Sequence, residues 1–329
     1  MREEPTRPMP ERRVRVALVG AGSMGSLHAR VISQGQDTTL ACVVDPDRAA
    51  GEALAGRFRT EWRAELGDPT GFDAVVLASP TSTHLAWSLD LIAAGVPLLV
   101  EKPLADDLAS AEAIVAAARA GRVPLMCGLL ERYNPAVRTA LRIVAEPVHV
   151  VTVRHSPYVA RIPTGVAHDL LVHDVDLVLR LAGMPRSVQA RFGYAHPASE
   201  PGAEDVADVL LDFDGGLVAS LSASRLSQRK VRSLTIAELD RLVEVDMVRQ
   251  DVTVYRHVLN TALDDEAEGG YRQQTIIDIP AIHDAREPLA AQLDRFVALV
   301  RGEVDPDEEL DTLLGPHAVV EAARRSASG

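Results

Sequence analysis

Short apolar runs alternate with amphipathic stretches along residues 13–130. Continuous runs of Val, Leu, Ala and Ile predict buried strands, and apolar positions spaced three and four apart predict helices. The strands are predicted at Val14–Val19, Leu40–Asp45, Phe72–Ser79, Leu98–Val100 and Pro124–Leu129, and the helices at Met24–Ile32, Arg48–Arg57, Thr83–Ala94 and Ala109–Ala120. This alternation is typical of an α/β domain with a doubly wound parallel sheet covered on both faces.

The pattern changes in residues 131–329, where strands joined by short turns predominate. The helices are predicted at Asn134–Ala145, Val166–Leu181, Pro288–Val300 and Glu309–Ser326, and the strands at Val148–His155, Ala207–Phe213, Leu217–Ser224, Val231–Ala237, Leu242–Val248 and Val252–Tyr255. The pattern predicts a C-terminal α+β domain with an open, mostly antiparallel sheet. We expect the uncovered sheet face to pair with another subunit in a homodimer or homotetramer, and Leu263–Gly270 to form a mobile acidic loop.

Composition narrows the class of protein. A chain of 329 residues with a formal charge of −13 suggests two domains and disfavours binding to nucleic acid or to an anionic membrane. The two cysteines, Cys42 and Cys127, lie in apolar runs, so buried thiols in a reducing cytoplasm are expected rather than a disulfide. Residues 1–12 lack the apolar core of a signal peptide and are predicted to be a flexible tail.

The first predicted strand ends in a glycine turn with the spacing G-x-G-x-x-G. Gly20, Gly22 and Gly25 stand between a strand and a helix, the context in which backbone N–H groups hold the pyrophosphate of a dinucleotide. Asp45 ends the next apolar run about 20 residues after the third glycine, where a carboxylate accepts from the ribose hydroxyls. This predicts a Rossmann domain over residues 13–130 that prefers NAD to NADP, although Arg48 lies close in sequence. The alternative is a glycine-rich turn that binds no dinucleotide.

Two later strand ends are predicted to lie in the same crevice. One carries Ser79-Pro-Thr-Ser-Thr-His84 and the other Glu101-Lys102-Pro103. A lysine at such a site can be desolvated and become a proton-transfer group, whereas the alternative is a surface lysine in an ion pair. The predicted cofactor-binding residues are Gly20, Gly22, Ser23, Met24, Gly25, Asp45, Arg48, Ser79, Pro80, Thr81, His84, Glu101 and Lys102.

The stretch from His168 to Asp176 is rich in acids and histidines. If it is helical, Asp169, His173 and Asp176 share one face, and a carboxylate one turn from an imidazole suits a general base acting on a hydroxyl. A solvated helix face and a zinc or manganese site are the alternatives. Because the chain has neither an H-E-x-x-H motif nor a cysteine cluster, no metal is predicted.

A group of cations stands out in this acidic chain. Its members are Arg225, Arg229, Lys230 and Arg232, which together with Arg154 and Arg161 could receive a nucleotide diphosphate. Aromatic rings that could stack on a base or a sugar are Tyr133, His155 and Tyr158. The alternatives are a solvated sheet edge, a subunit contact or core packing. The predicted substrate-binding residues are Tyr133, Arg154, Tyr158, Arg161, Asp169, His173 and Arg225.

Taken together, these motifs resemble one family over nearly the whole chain. The glycine turn through His28, the Ser-Pro-Thr-Ser-Thr-His turn, Glu-Lys-Pro, and Asp169-x-x-x-His173-Asp-x-Asp are similar to the glucose–fructose oxidoreductase/inositol dehydrogenase (Gfo/Idh/MocA) family. Two further stretches, Glu131–Ala136 and Leu226–Thr235, resemble the branch that contains UDP-N-acetylglucosamine 3-dehydrogenases.

The resemblance implies a hydride transfer between a nicotinamide and a sugar or cyclitol hydroxyl. It implies that Lys102, Asp169 and His173 lie at the reaction centre, with His173 or Lys102 as the proton acceptor. Many members have a small residue two positions before the catalytic histidine, where this chain has Leu171. We expect a nucleotide-linked sugar oxidised at C3. The alternatives are a free-sugar or inositol dehydrogenase, an NAD-dependent glycosidase or lyase, and a non-enzymatic dinucleotide-binding protein.

Overall fold

The structure is a computed structural model that describes residues 12–159, 164–261, 271–282 and 286–328. In that part of the chain the strands are β1 (Val14–Val19), β2 (Thr38–Val44), β3 (Glu61–Arg63), β4 (Ala74–Leu77), β5 (Leu98–Val100), β6 (Leu125–Cys127), β7 (His149–His155), β8 (Ser187–Gly193), β9 (Val206–Asp212), β10 (Val218–Ser224), β11 (Val231–Ala237), β12 (Leu242–Asp246), β13 (Asp251–Thr261) and β14 (Tyr271–Asp278). The helices are α1 (Ser23–Gln34), α2 (Arg48–Phe58), α3 (His84–Ala93), α4 (Leu108–Gly121), α5 (Pro135–Ile143), α6 (Val172–Ala182), α7 (Pro288–Val300), α8 (Pro306–Leu310) and α9 (Leu314–Ser328).

The chain forms two compact units. The first unit comprises the chain up to Asp106 together with Ser110–Gly128 and Leu289–Asp311, and the second comprises Asp107–Ala109, Leu129–Pro288 and the chain from Thr312 onward. The sequence prediction placed a single division near residue 130, and that division differs from this grouping in the later segment. Leu289–Asp311 groups with the first unit, in which Arg119 of α4 pairs with Asp307 at 2.8 Å.

The first unit contains a six-stranded parallel sheet in the order β3-β2-β1-β4-β5-β6. Val16, Leu18 and Val76 are 0% exposed, as expected for central strands covered on both faces. The strand order reverses between β1 and β4, so the carboxyl ends of these strands open the crevice in which such sheets bind ligands. The predicted strands are confirmed; β3 was not predicted because it is a three-residue polar edge strand.

The second unit contains an eight-stranded sheet in the order β14-β13-β12-β11-β7-β10-β9-β8. Its pairs are antiparallel except β7 with β10, which are parallel. Along β7, Val150, Thr152 and Arg154 are buried while the alternate residues are half-buried or exposed, so one face of the sheet carries the core. The α/β fold class, with an open and mostly antiparallel second sheet, is confirmed. The predicted loop at 263–270 lies outside the described residues.

One helix of the second unit carries a buried titratable group. His317 of α9 is 4% exposed, and its Nδ1 lies 2.9 Å from the carbonyl oxygen of Leu313. Burial lowers the pKa of His317 from its usual 6.5, although the Leu313 carbonyl opposes this shift. The neutral imidazole therefore donates from Nδ1 to Leu313. Among the described residues, no helix is long and apolar enough to cross a membrane.

This lowered pKa predicts a loss of stability under mildly acidic conditions. The unfolded chain binds a proton at His317 near pH 6.5, whereas the folded chain does so only at lower pH. Protonation of His317 therefore costs no stability above about pH 6.5. The free energy of unfolding falls as the pH drops from there toward the folded pKa, by at most about 1.4 kcal/mol per pH unit. Urea unfolding across this range should show a weaker pH dependence in His317→Gln. An identical dependence in both proteins would contradict the assignment.

Candidate active site

The glycine turn of the first unit is shaped by contacts that exclude other side chains. Gly20 has a φ of +105°, and a Cβ there would lie 2.4 Å from the carbonyl oxygen of Ala78. A Cβ on Gly25 would lie 2.0 Å from the carbonyl oxygen of Gly20. Gly22 differs, because a Cβ there would meet no described atom within 4 Å. The open space beside Gly22, at the N-terminus of α1, fits the phosphates of a dinucleotide.

Substitution of Gly22 should therefore separate folding from cofactor binding. Its φ of −72° and ψ of −163° suit alanine, so Gly22→Ala should fold and melt like the wild type in the absence of NAD. The added methyl group enters the space that fits the phosphates, so the Kd for NAD should rise by about tenfold or more, which is ~1.4 kcal/mol. Calorimetric titration measures this change. Gly56→Ala, at an exposed position of α2 with no described atom nearby, is the matched control; equal NAD affinity in both variants would contradict the prediction.

The Asp45 carboxylate is fixed at the edge of the same turn. Its Oδ2 accepts from Ala21 N at 2.6 Å, and its Oδ1 accepts from Asp47 N at 2.8 Å. These bonds place the carboxylate at the carboxyl end of β2, where it can accept from ribose hydroxyls. The Arg48 side chain is 75% exposed and pairs with Glu52 at 3.0 Å. Arg48 is thus directed along its own helix, and its contact with the cofactor stays a prediction.

The loops after β4 and β5 are joined by His84. This side chain is 1% exposed, and its two ring nitrogens each lie 3.0 Å from a carbonyl oxygen, Nδ1 from that of Pro103 and Nε2 from that of Ser79. The Ser79 hydroxyl lies 2.8 Å from the hydroxyl of Thr83. His84 therefore braces the two loops from inside the unit. Cofactor contacts by Ser79 and its neighbours Pro80 and Thr81 stay predictions.

Glu101 connects the lysine loop to the helix of the glycine turn. Its carboxylate is buried, with Oε1 2.7 Å from His28 Nε2 and Oε2 accepting from Lys102 N at 3.2 Å. A Cβ on Gly128 would lie 2.7 Å from Glu101 Oε2, so that glycine makes room for the carboxylate. The pairing with His28 was missed from the sequence, where this histidine was assigned to the helical pattern and to the family motif but to no partner. Lys102 itself is half-buried.

In the second unit, the candidate catalytic residues begin in an unusual helical turn. Ala167–Leu171 is π-helical and continues directly into α6. Single π turns of this kind occur often at functional sites. Asp169 and His173 are half-buried, whereas Asp176, predicted to share their face, is 2% exposed. Arg132 donates to both carboxylate oxygens of Asp176, at 2.8 and 2.6 Å, so Asp176 belongs to a buried ion pair and not to a helix face that it shares with Asp169 and His173.

A buried ion network includes Asp174, which belongs to this helix. Arg154 is 1% exposed and donates to Asp174 Oδ1 at 2.7 and 3.0 Å and to Glu131 Oε1 at 2.8 Å. Arg232 stands opposite Arg154 in the sheet and donates to the same Glu131 oxygen at 3.0 Å. Burial opposes ionisation of Glu131, yet the two arginines hold the pKa of its carboxyl below its usual value. Arg154 thus serves the network, and its direct contact with substrate stays a prediction.

Arg225 and Tyr158 also pack within the second unit. Arg225 is 5% exposed, and its guanidinium donates to Asp205 at 2.7 Å and to the carbonyl of Thr164 at 3.0 Å. The same guanidinium lies 5.6 Å from the ring centroid of Tyr158. On its other contact, the Tyr158 ring stacks on His196 at 3.5 Å. Both side chains thus have partners within the second unit, and their substrate contacts, like that of half-buried Tyr133, stay predictions.

Arg161, one of the predicted substrate-binding residues, lies outside the described residues. Among the residues that the structure does describe, no group of three or more His, Cys, Asp or Glu side chains could hold a metal ion.

Two family models match the chain. One, described as an oxidoreductase family with an NAD-binding Rossmann fold, matches residues 14–129, and the GFO/IDH/MocA C-terminal domain matches residues 111–238. The curated UDP-N-acetylglucosamine 3-dehydrogenase of Acidithiobacillus ferrooxidans is 28% identical over 86% of this chain and 88% of its own length. The inositol 2-dehydrogenase of Rhizobium meliloti is 32% identical over 64% of this chain and 69% of its own length.

Solved structures agree with these matches. The UDP-N-acetylglucosamine 3-dehydrogenase of Acidithiobacillus ferrooxidans superposes with a TM-score of 0.82 at 26% identity, covering 95% of this chain and 97% of that one. GenD2 from gentamicin A biosynthesis, solved in complex with NAD, gives a TM-score of 0.80 at 26% identity, covering 99% and 97%.

The fold and the glycine turn define an NAD-dependent oxidoreductase whose first unit is an NAD-binding Rossmann domain. The chain belongs to the Gfo/Idh/MocA family of oxidoreductases. The family resemblance drawn from the motifs and the prediction of NAD are thereby confirmed. Relatives are named as dehydrogenases of sugars or cyclitols.

Proposed function

We propose that the chain transfers a hydride between NAD and the C3 hydroxyl of a nucleotide-linked sugar. The observation that carries this proposal is the match to UDP-N-acetylglucosamine 3-dehydrogenase, which covers 86% of the chain, including most of the second unit. A local positive edge supports it. Lys230 is exposed and Arg232 is partly exposed. Burial and Arg154 lower the pKa of Arg232, whereas nearby carboxylates, Asp169 among them, raise it. A diphosphate is complementary to two such cations.

The proposed roles follow from the chemistry of each side chain. NAD, when bound, supplies the hydride acceptor. His173 takes the proton of the reacting hydroxyl, Lys102 donates a hydrogen bond to the hydroxyl oxygen, and Asp169 orients either His173 or the sugar. The reverse assignment, with Lys102 as the proton acceptor, uses the same three residues. Asp45 accepts from the ribose hydroxyls of the cofactor, and its charge disfavours a 2′-phosphate.

A substrate panel tests the proposal. Purified protein with NAD is incubated with UDP-sugars, free sugars and inositols, and both NADH absorbance and product mass are followed. A ketone product from a UDP-sugar, two mass units below the substrate as expected for loss of hydride and proton, supports the proposal. Because NADH can stay bound and be reoxidised, product mass decides the outcome. Turnover of inositols alone would replace the proposal with the second candidate.

That second candidate is an inositol dehydrogenase. It is favoured by the inositol 2-dehydrogenase of Acidothermus cellulolyticus, which is 35% identical over 65% of this chain and 67% of its own length. The match to this inositol dehydrogenase has the higher identity, but it covers less of the chain than the match to UDP-N-acetylglucosamine 3-dehydrogenase does.

We further propose that a second copy of the chain covers the outer sheet face of the second unit. That face holds a groove of about 720 Å³ bordered by apolar and polar side chains of β7, β9 and β10. Leu210 of β9 is 36% exposed there, and Val151 and Val153 of β7 are half-buried, with β10 between the two strands. An apolar strip on an open sheet is typical of a subunit interface. Sedimentation equilibrium showing a monomer at micromolar concentration would exclude this.

A further inference from the structure

The turn that carries Asp169 needs hydrogen-bond acceptors from outside the helix. The first amides of any helical segment lack partners within it, and the π turn Ala167–Leu171 begins the catalytic helix. In the structure, Val166 N and Ala167 N both donate to one residue, Glu204, which precedes β9. The distance is 3.0 Å from Val166 N to the Glu204 carbonyl oxygen and 2.8 Å from Ala167 N to Glu204 Oε1.

The Glu204 carboxylate is built into this position. The residue is 2% exposed, so its 2.8 Å hydrogen bond from Ala167 N is shielded from water. A Cβ on Gly165 would lie 2.2 Å from Glu204 Oε2, which means that the carboxylate packs directly on the Gly165 backbone. Asp169 N in turn donates to the Gly165 carbonyl oxygen at 3.1 Å. One side chain thus contacts the backbone that holds Asp169.

The residues before Glu204 in the chain are fixed by its neighbour, Asp205. This carboxylate accepts from Ala195 N and His196 N, both at 2.7 Å, and from the Ser199 hydroxyl at 2.5 Å. Although burial opposes ionisation, these hydrogen bonds and Arg225 hold the pKa of Asp205 well below its usual range. Glu204 therefore projects from an ordered segment, and the charge of Asp205 persists throughout the neutral pH range.

We infer that Glu204 is a positioning residue for the reaction: its carboxylate fixes the backbone from Gly165 to Ala167 and thereby orients Asp169 and His173 toward the substrate. Glu204 acts through Ala167 N and touches neither substrate nor cofactor in this role. The inference rests on the proposed function only for its kinetic readout. Small displacements of catalytic groups are costly, and about 1 Å can lower a rate ~100-fold.

Two substitutions separate reach from charge. Glu204→Asp keeps the charge but withdraws the acceptor by one methylene, so kcat should fall roughly 10- to 100-fold. The KM for NAD should stay within about twofold, since the cofactor turn lies in the first unit. Glu204→Gln keeps an oxygen within reach of Ala167 N and should retain most of the activity. Glu200→Asp, an exposed glutamate four residues earlier, is the matched control and should behave like the wild type.

Amide hydrogen exchange supplies a readout that needs no substrate. Residues 164–173 should exchange about tenfold faster in Glu204→Asp than in the wild type, Glu204→Gln or Glu200→Asp. If the wild type turns over none of the sugars, the proposed function fails, and exchange alone decides the inference. Wild-type exchange and wild-type kcat in Glu204→Asp would overturn it. If Glu204→Asp does not fold, a loss of more than about tenfold in kcat in Glu204→Gln would overturn it equally.

Discussion

Replacement of Lys102 by methionine should lower kcat by roughly 10²- to 10⁴-fold, the range that a positioned proton-transfer group supplies. Methionine is similar in length but cannot donate a hydrogen bond or carry charge. His173→Ala should cause a loss of the same order, because the imidazole is the other candidate for the hydroxyl proton. Steady-state kinetics with the substrate found in the panel measure both losses.

The affinity for NAD separates a catalytic defect from a folding defect. The glycine turn and Asp45 are the groups expected to hold the phosphates and the ribose, and neither variant changes them, so both variants should bind NAD with a Kd within about threefold of the wild type. His149→Ala, at an exposed position at the start of β7, is the control for loss of an imidazole. Wild-type turnover in either Lys102→Met or His173→Ala would remove that residue from the proposed reaction centre.

Much of the fold could be predicted because its signals are local. The glycine spacing and the continuous apolar strands indicate a dinucleotide-binding α/β domain, and the structure contains the six-stranded parallel sheet that they imply. The grouping of Leu289–Asp311 with the first unit could not be predicted. It depends on pairings across nearly two hundred residues, such as Arg119 with Asp307 and Asp311, that leave no periodic trace in the sequence.

The candidate site shows the same division. Asp45 lies beside the glycine turn as its spacing predicted, because one strand and one turn determine that position. The roles of the arginines were harder to predict, since the residue type alone does not distinguish an arginine that binds a ligand from one that is buried in an ion network. Val150, Thr152 and Arg154 are every second residue of β7, so all three lie on its buried face. This period of two was the signal in the sequence that Arg154 points into the core.

Loss of Arg154 should be the most destabilising single change in the second unit that we predict. Arg154→Met leaves the buried Asp174 carboxylate without its arginine, while Glu131 keeps Arg232 at 3.0 Å. Among the described residues, Asp174 Oδ2 has no hydrogen-bond donor even in the wild type. Burial raises the pKa of its carboxyl, and of the two arginines that oppose this shift, Arg154 is the one hydrogen-bonded to it. Removing one partner of a buried pair costs about 3–5 kcal/mol, which should appear as a lower urea midpoint.

A second substitution tests whether the unpaired charge is the cause. Arg154→Met combined with Asp174→Leu buries apolar groups where the pair stood, and such replacements are often neutral, so more than half of the lost stability should return. Arg249→Met is the matched control, because the Arg249 side chain is 79% exposed and its Nε lies 3.8 Å from Asp246 Oδ2, which predicts a change within about 0.5 kcal/mol. If the double variant is no more stable than Arg154→Met alone, the cost lies in lost packing around the guanidinium rather than in the charge left on Asp174.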